Sequence, residues 1–498
     1  MKILNDLIYE SEYECTGFDL KNTKIENVTS KPDAISENTL FVLIKSISFD
    51  INKIISYVKS KKPAVIVTES DVEIESDTVP ILRVNNARKI LAYIFLRFYD
   101  INLDKIKIIG ITGTNGKTTT ANILTQILRQ SQKKVGLIST GSIRIGEKSI
   151  NPPKYSMTTP DPDILYKTLR EMQDAECEYV VMEVSSHALF FEKTSPIKFE
   201  IGVFTNLSPE HLDFHKSIEE YYKTKMKLIE NSKLGIFNID DDYGFRAYSE
   251  SSCHKKSIGM IKPSYFCATN LTEMGLLGNE FIFHGKNEIF KIKTKLPGIY
   301  NVYNTLAAAA CAVELGISPE NIKKAISNIG AIDGRFEIVR DAVTVIIDYA
   351  HTEKAMENVL KTINNCKNPE QKLTTVFGCG GDRYREKRPL MAKTAEIYSD
   401  KIIVTTDNSR SESPTEIIKE ILSGFSKSAN RVVVTERASA IERAILSSDN
   451  GDIILLIGKG HERYNIDKNG YHKFDEREII RNALKKRREI LKQDENRT

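Results

Sequence analysis

The chain has 498 residues with 71 basic and 67 acidic side chains, a formal charge of +4. That length allows about three domains of ordinary size, and the balanced charge excludes a nucleic-acid binder built on a single-sign face. Seven cysteines without a CxxC pair exclude a disulfide framework and point to reduced thiols in the cytoplasm. Glu10 and Glu12 interrupt any signal-peptide core, and no apolar run nears the ~20 residues needed to span a bilayer, so a soluble protein is expected.

Residues 1–100 read as a small α/β unit. Thr39–Ile44, Ala64–Val67 and Pro80–Val84 are short apolar strands, and Ile51–Lys61 and Ala87–Tyr99 have helical spacing. A second block, 101–332, opens with a buried strand to about Thr112, a turn Gly113-Thr114-Asn115-Gly116, and a helix beginning Lys117-Thr118-Thr119. Strand, glycine turn and helix form a phosphate cradle: backbone N–H groups hold the phosphates, the lysine meets their charge, and a threonine hydroxyl can ligate Mg²⁺. Ile111 stands where the general pattern has glycine. Further strands at Lys134–Ile138, Tyr179–Val184, Ile201–Thr205 and Leu234–Asn238 predict a mostly parallel sheet covered on both faces.

Asp333-Gly334-Arg335 reads as a hinge into a third block, 333–498. Strands at Val343–Asp348, Leu373–Phe377, Lys401–Thr405, Arg431–Val434 and Asp452–Ile457 predict a second doubly wound α/β domain. The tail from Arg477 to about Lys492 is a charged amphipathic helix whose Lys485–Arg488 run reads as a solvated face.

Ligands of open parallel sheets bind outside the carboxyl ends of strands, so polar groups there are informative. Glu183 follows one strand and His211 another, which offers an oxygen and a nitrogen ligand to Mg²⁺ beside Thr118. In the third block Asp348–His351, Gly378–Arg383, Asp407–Arg410 and Gly458–Glu462 each follow a strand. Arg383 and Arg410 suit bidentate recognition of carboxylates, and the glycines admit close backbone approach. A nucleotide site facing an Arg- and Gly-lined site implies a two-substrate enzyme that closes on an activated phosphate.

The ordered motifs Gly113–Thr119, Thr158-Thr-Pro-Asp161, Glu183-Val-Ser-Ser-His187, Phe204–Ser208 with His211-Leu-Asp213, Asn301 and Asn304, Gly334-Arg335, Asp348–Thr352, Phe377–Arg383, Lys387-Arg-Pro389 and Gly458–Glu462 resemble the Mur ligases of bacterial peptidoglycan synthesis over nearly the whole chain. They are most similar to the type that extends UDP-N-acetylmuramoyl-L-alanyl-D-glutamate. The resemblance implies a UDP-sugar domain, a central ATPase domain and a Rossmann-like amino-acid domain. It implies ATP with two Mg²⁺ sites, an acyl phosphate on the D-glutamate carboxylate, and attack by the amine of a free diamino acid.

By the same resemblance, Lys117, Glu183, His211 and Lys225 are catalytic, and Lys225 is carbamylated and ligates metal with Thr118, Glu183 and His211. ATP contacts fall on Gly113–Thr119, Asn301, Arg335, Asp348 and His351. UDP-sugar contacts fall on Ser30, Ile47–Phe49, Thr158, Thr159, Ser185 and Lys193. Amino-acid contacts fall on Arg383, Asp407, Asn408, Ser409, Arg410, Gly458 and Glu462. Phe191 and Lys193 stand where the family usually has Gln and Arg, and Ser409 where diaminopimelate-adding members have proline. The retained Arg410 favours meso-diaminopimelate over lysine or ornithine, because an unpaired buried guanidinium is costly. Folylpolyglutamate synthase, which normally lacks a domain before the cradle, and a non-catalytic nucleotide-binding scaffold are the competing readings. A monomer without membrane insertion is expected.

Overall fold

A computed structural model describes residues 1–498 except 10–11, 16–19, 21, 46–50, 73, 75–77, 151–157, 286 and 496–498, and the side chains of 51, 52, 494 and 495 are also outside the description. Ile47–Phe49 therefore lie outside the described residues. Three larger sheets carry the chain. The first is fully parallel, with Asn27–Thr29, Thr39–Val42, Val65–Glu69 and Ile81–Val84 side by side in that order.

The central sheet has eleven strands. Its parallel middle runs Val135–Ser139, Tyr179–Glu183, Lys107–Thr112, Phe199–Phe204, Ser232–Asn238, His254–Gly259, Phe266–Glu273. Antiparallel hairpins extend both edges: Ser142–Ile145 with Lys148–Ile150, and Asn279–His284 with Ile289–Thr294. Chain order reverses beside Lys107–Thr112, since the strands for residues 135 and 179 lie on one side and those for 199 and 232 on the other. The phosphate loop thus leaves the sheet at its switch point, where side chains from both neighbours converge.

The third sheet runs Glu337–Arg340, Thr344–Asp348, Ile453–Ile457, Leu373–Phe377, Lys401–Val404, Arg431–Val433, parallel except for its first strand. Alternate residues of its middle strands fill two cores, Ile346 and Leu455 on one face and Val345 and Ile454 on the other, as a sheet covered on both sides requires. The first sheet shares one core with the central sheet, with Leu40 and Val65 in the same cluster as Ile108 and Val180. Leu276 and Tyr300 of the central unit pack against the core of the third.

The expected strands are present with ends shifted by a residue or two. The tail helix spans Glu476–Glu495. Its basic run is not wholly solvated: Arg487 is buried and donates to the carbonyls of Ile445 and Ser448 and to Asn450 Oδ1 at 2.9 Å. Helix Arg437–Leu446 ends there with open carbonyls, and a cation at a helix C-terminus is favourable on both hydrogen-bond and dipole grounds. Among the described residues no helix is long and apolar enough to cross a membrane.

Candidate active site

The cradle follows from local geometry. Gly116 sits at φ +85°, a region costly for other residues, and a Cβ there would come within 2.2 Å of Asn304 Oδ1. Helix Lys117–Gln130 starts immediately after with no side-chain cap, so its first N–H groups remain for a ligand. Neighbouring strands brace the turn: Asn115 N–H donates to Asn206 Oδ1 at 2.9 Å and Thr205 Oγ1 donates to Asn115 O at 2.7 Å.

Two lysines share this turn. Lys117 Nζ donates to Gly113 O at 2.9 Å and Thr114 O at 2.8 Å, and Lys225 Nζ donates to the same Gly113 O at 2.9 Å. Lys225, from helix Ile218–Glu230, is 1% exposed. Burial first, and the charge of Lys117 second, push its amine well below the ordinary lysine range, with Glu210 opposing. Burial likewise lowers Lys117, against the pull of Glu183 and Glu210. These amines are poised to be neutral or to meet an anion.

Glu183, fully buried, is fixed by four donors. Thr118 Oγ1 donates at 3.1 Å, Thr140 N–H at 2.9 Å, Thr140 Oγ1 at 3.2 Å, and Ser139 Oγ supplies a short bond. From the third block, Arg335 Nη2 donates to Thr118 Oγ1 at 2.9 Å while its guanidinium lies 4.6 Å from the Tyr349 ring centre. His351 Nε2 reaches Glu210 Oε1 at 2.5 Å. Burial alone would raise Glu210, but His351 and His211 hold its carboxyl well below the usual range. Burial lowers His211 to about 4, so its ring is neutral and a lone pair is available.

Among the described residues no three His, Cys, Asp or Glu side chains are spaced to hold a metal by themselves. The donors present still fit Mg²⁺, which takes one or two carboxylates and completes its shell with phosphates and water: Glu183 and Thr118 stand 3.1 Å apart at the cradle's mouth.

The opposite wall is the amino-acid side. Arg410, at φ +51°, donates through Nη1 to Gly381 O at 2.8 Å and Asn408 O at 3.3 Å. Asn408 is a hub: its Oδ1 accepts from Lys459 Nζ at 2.6 Å and Ile466 N–H at 2.9 Å, and its Nδ2 donates to Glu462 Oε2 at 2.7 Å. Burial raises Glu462, helped by Asp407, while Lys459 and Arg437 hold Asp407 down against burial. Gly458, at φ +117°, leaves room for Asp407 Oδ2, which a Cβ would approach to 2.5 Å. Ser409 is buried with its carbonyl packed on Gly381.

One cavity of about 1330 Å³ joins these walls. Lys117, Thr118, Glu183, His211, Lys225, Asn301, Arg335, Asp348 and His351 line it, as do Arg383, Asp407, Asn408, Arg410, Gly458 and Glu462. Thr114, Asn115, Gly116, Thr119, Thr158 and Ser185 also reach it, while Gly113, Thr159 and Ser409 do not. Thr159 instead donates to Glu183 O at 2.9 Å, and Ser185 caps helix Ser186–Phe190 through Ala188 N–H. Asn301 braces Asn304, donating to Pro297 O at 2.7 Å and accepting from Asn304 Nδ2 at 3.0 Å. Ser30 and Lys193 line a separate cavity of about 220 Å³ between the first and central sheets.

Sequence reasoning had not singled out Glu210, Ser139, Thr140 or Arg88. Glu210 lies between the Phe204–Ser208 motif and His211, but its partner His351 is remote in sequence. Ser139 and Thr140 end a strand next to the cradle, which was a usable signal.

A phosphate cradle and an arginine-lined pocket facing each other across one cavity define an ATP-dependent ligase that joins an acid to an amine. Residues 111–312 match the Mur ligase middle domain and residues 334–460 the Mur ligase, glutamate ligase domain. The UDP-N-acetylmuramoyl-L-alanyl-D-glutamate–2,6-diaminopimelate ligase 1 of Clostridium acetobutylicum is 40% identical over 489 residues, 97% of this chain and 99% of the relative. A solved UDP-N-acetylmuramoyl-L-alanyl-D-glutamate–2,6-diaminopimelate ligase superposes with TM-score 0.67 at 24% identity, covering 95% of this chain and 97% of that one. The folylpolyglutamate synthase of Mycobacterium tuberculosis, in complexes with ADP and AMPPCP, superposes with TM-score 0.60 at 17% identity, over 73% of this chain and 91% of that one. The chain belongs to the Mur ligase family.

Proposed function

We propose that the chain joins meso-2,6-diaminopimelate to UDP-N-acetylmuramoyl-L-alanyl-D-glutamate at the expense of ATP, a step of peptidoglycan precursor synthesis. The observation that carries this is the single cavity lined by Lys117 on one side and by Arg383 and Arg410 on the other. The γ-phosphoryl group of ATP passes to a D-glutamate carboxylate oxygen, releasing ADP. The amine nitrogen of the incoming amino acid then bonds to the acyl carbon, the amine loses a proton, and inorganic phosphate leaves.

Residues of this chain serve each part. The cradle N–H groups and Lys117 gather the phosphates, and Asn301, Asp348 and His351 border the nucleotide. Mg²⁺ at two sites, held by Thr118, Glu183, His211 and a carbamylated Lys225, would offset the crowded anions. Arg335 reaches over from the hinge, which ties nucleotide binding to closure and so to exclusion of water. Arg383 and Arg410 would take the carboxylates of the amino acid while Glu462 and Asp407 face its ammonium. Ser30, Thr158, Thr159, Ser185 and Lys193 border the path of the UDP-linked substrate. The three domains of this reading are 1–100, 101–332 and 333–498, and the enzyme acts as a cytoplasmic monomer.

The folylpolyglutamate reading leaves the four-stranded first sheet without a role, and a scaffold reading leaves the buried set Lys117, Glu183, His211 and Lys225 without one. Incubation with UDP-muramoyl-dipeptide, ATP and either diaminopimelate, lysine or ornithine, read by product mass, tests the proposal. A diaminopimelate adduct is expected. An adduct formed only with lysine or ornithine would overturn the amine assignment, and no adduct with any of them would overturn the reaction.

A further inference from the structure

The cavity of about 220 Å³ between the first and central sheets has room for one moiety of a substrate, and three cations line it: Lys31, Arg88 and Lys193. Two are already neutralised. Lys31 Nζ lies 2.8 Å from Asp163 Oδ2, and Lys193 Nζ lies 2.7 Å from Asp161 Oδ1. Arg88 has no carboxylate at ion-pair distance among the described residues. Its only hydrogen bond there is from Nη2 to Lys45 O, at 3.0 Å.

Its place in the chain makes this more telling. Arg88 is in the first turn of helix Ala87–Phe98, where the helix dipole disfavours a cation. Burial pulls it further from its charged form, offset in part by Glu69. The guanidinium carbon lies over the Phe191 ring, 4.4 Å from its centre, and among the described residues Nη1 and Nε have no hydrogen-bond partner. A guanidinium seated on an aromatic ring, with donors unpaired among the described residues and half-buried at the positive end of a helix, is arranged for an anion with paired oxygens.

We propose that Arg88, seated over Phe191, binds the diphosphate of the UDP-linked substrate. This rests on the reading of that substrate given above and deepens it. Phe191 is here a positioning residue, and Arg88 is the group that touches the ligand.

Binding calorimetry on the full chain, with ADP saturating the cradle, tests the assignment using uridine, UMP and UDP as probes. The wild type is expected to bind UDP at least about tenfold more tightly than uridine, the scale of a charge-assisted bidentate contact. Arg88→Met should erase most of that gap while uridine affinity stays within about twofold, and Phe191→Leu should narrow it. Unchanged ADP affinity verifies the fold. If Arg88→Met fails to fold, Arg88→Lys carries the test, with the gap shrinking several-fold. A gap kept in full, or uridine binding lost in parallel with UDP, overturns the diphosphate contact. A wild type that binds none of the three probes overturns the UDP-substrate reading itself.

Discussion

His351 and Glu210 meet at 2.5 Å across the cleft, the one from the third sheet's first parallel strand end and the other from the loop after Phe199–Phe204. With Arg335 on Thr118, this contact joins the nucleotide side to the amino-acid side. Glu210 is 7% exposed at its side chain, so the bond is poorly screened. Glu210→Gln keeps the size and removes the charge. Turnover should fall about tenfold or more while ADP affinity hardly changes, and small-angle scattering should show a wider spread of molecular dimensions. Identical scattering profiles would mean that the pair does not govern closure.

Arg410 spends one nitrogen on two carbonyls and lines the cavity. Arg410→Ala should raise the KM for diaminopimelate roughly 10- to 100-fold, the equivalent of losing a charge-assisted pair, with a smaller effect on the KM for ATP. Equal change in both constants would show a general loss of the pocket instead of a lost carboxylate contact.

Lys225 combines near-complete burial with an amine pushed towards neutrality, and only a neutral amine adds carbon dioxide. After equilibration with ¹³C-bicarbonate, the wild type should show a protein-bound carbamate resonance that Lys225→Arg lacks. Turnover of that variant should drop by about 10²-fold or more, as expected when an electrostatic group at the reacting centre is lost. A spectrum without the resonance at saturating bicarbonate would rule the modification out.

Much of this arrangement is legible in residue order because parallel strands buried on both faces, such as Tyr179–Glu183 and Ile453–Ile457, are continuous apolar runs with polar residues at their carboxyl ends. The outer hairpins are harder. Ile289–Thr294 alternates exposed and buried residues, but lysines and neighbouring Asn and Gly give it the composition of a loop. Arg487 shows another limit: one member of a basic run turns inward because a remote helix end needs donors, and no local pattern reports that. Glu210 and Arg88 are likewise defined by partners far along the chain.

Gly334, at φ +64°, packs against the turn that carries Glu462; a Cβ there would lie 2.1 Å from His461 N. Arg477 clamps the same junction, donating to Glu337 Oε1 at 3.1 Å, to Gly460 O at 3.2 Å, and to Asp333. Gly334→Ala therefore forces hinge and turn apart and strains the backbone as well. The variant should lose about 1–3 kcal/mol of stability and bind diaminopimelate less tightly, as measured by thermal unfolding and calorimetry. An unaltered unfolding temperature would mean that the junction yields without cost.

His215 is 0% exposed, and among the described residues neither ring nitrogen has a hydrogen-bond partner. It packs near His187, Phe214 and Tyr221. Burial first, then the charges of His187 and Lys225, lower it to about 4 against the opposing pull of Asp213. An unfolded histidine titrates near 6.5, so between about 6.5 and 4 the unfolded chain holds a proton that the folded chain refuses. Stability must therefore fall as pH drops through that window and level off below it, by about 2 kcal/mol for this group at pH 5. His187 and His211, also lowered to about 4, add to the same slope. His215→Phe fills the space without a titrating nitrogen and should unfold at a temperature less sensitive to acid between pH 7.5 and pH 5 than the wild type. Parallel curves for the two proteins over that range would show that His215 gains its proton without cost to the fold.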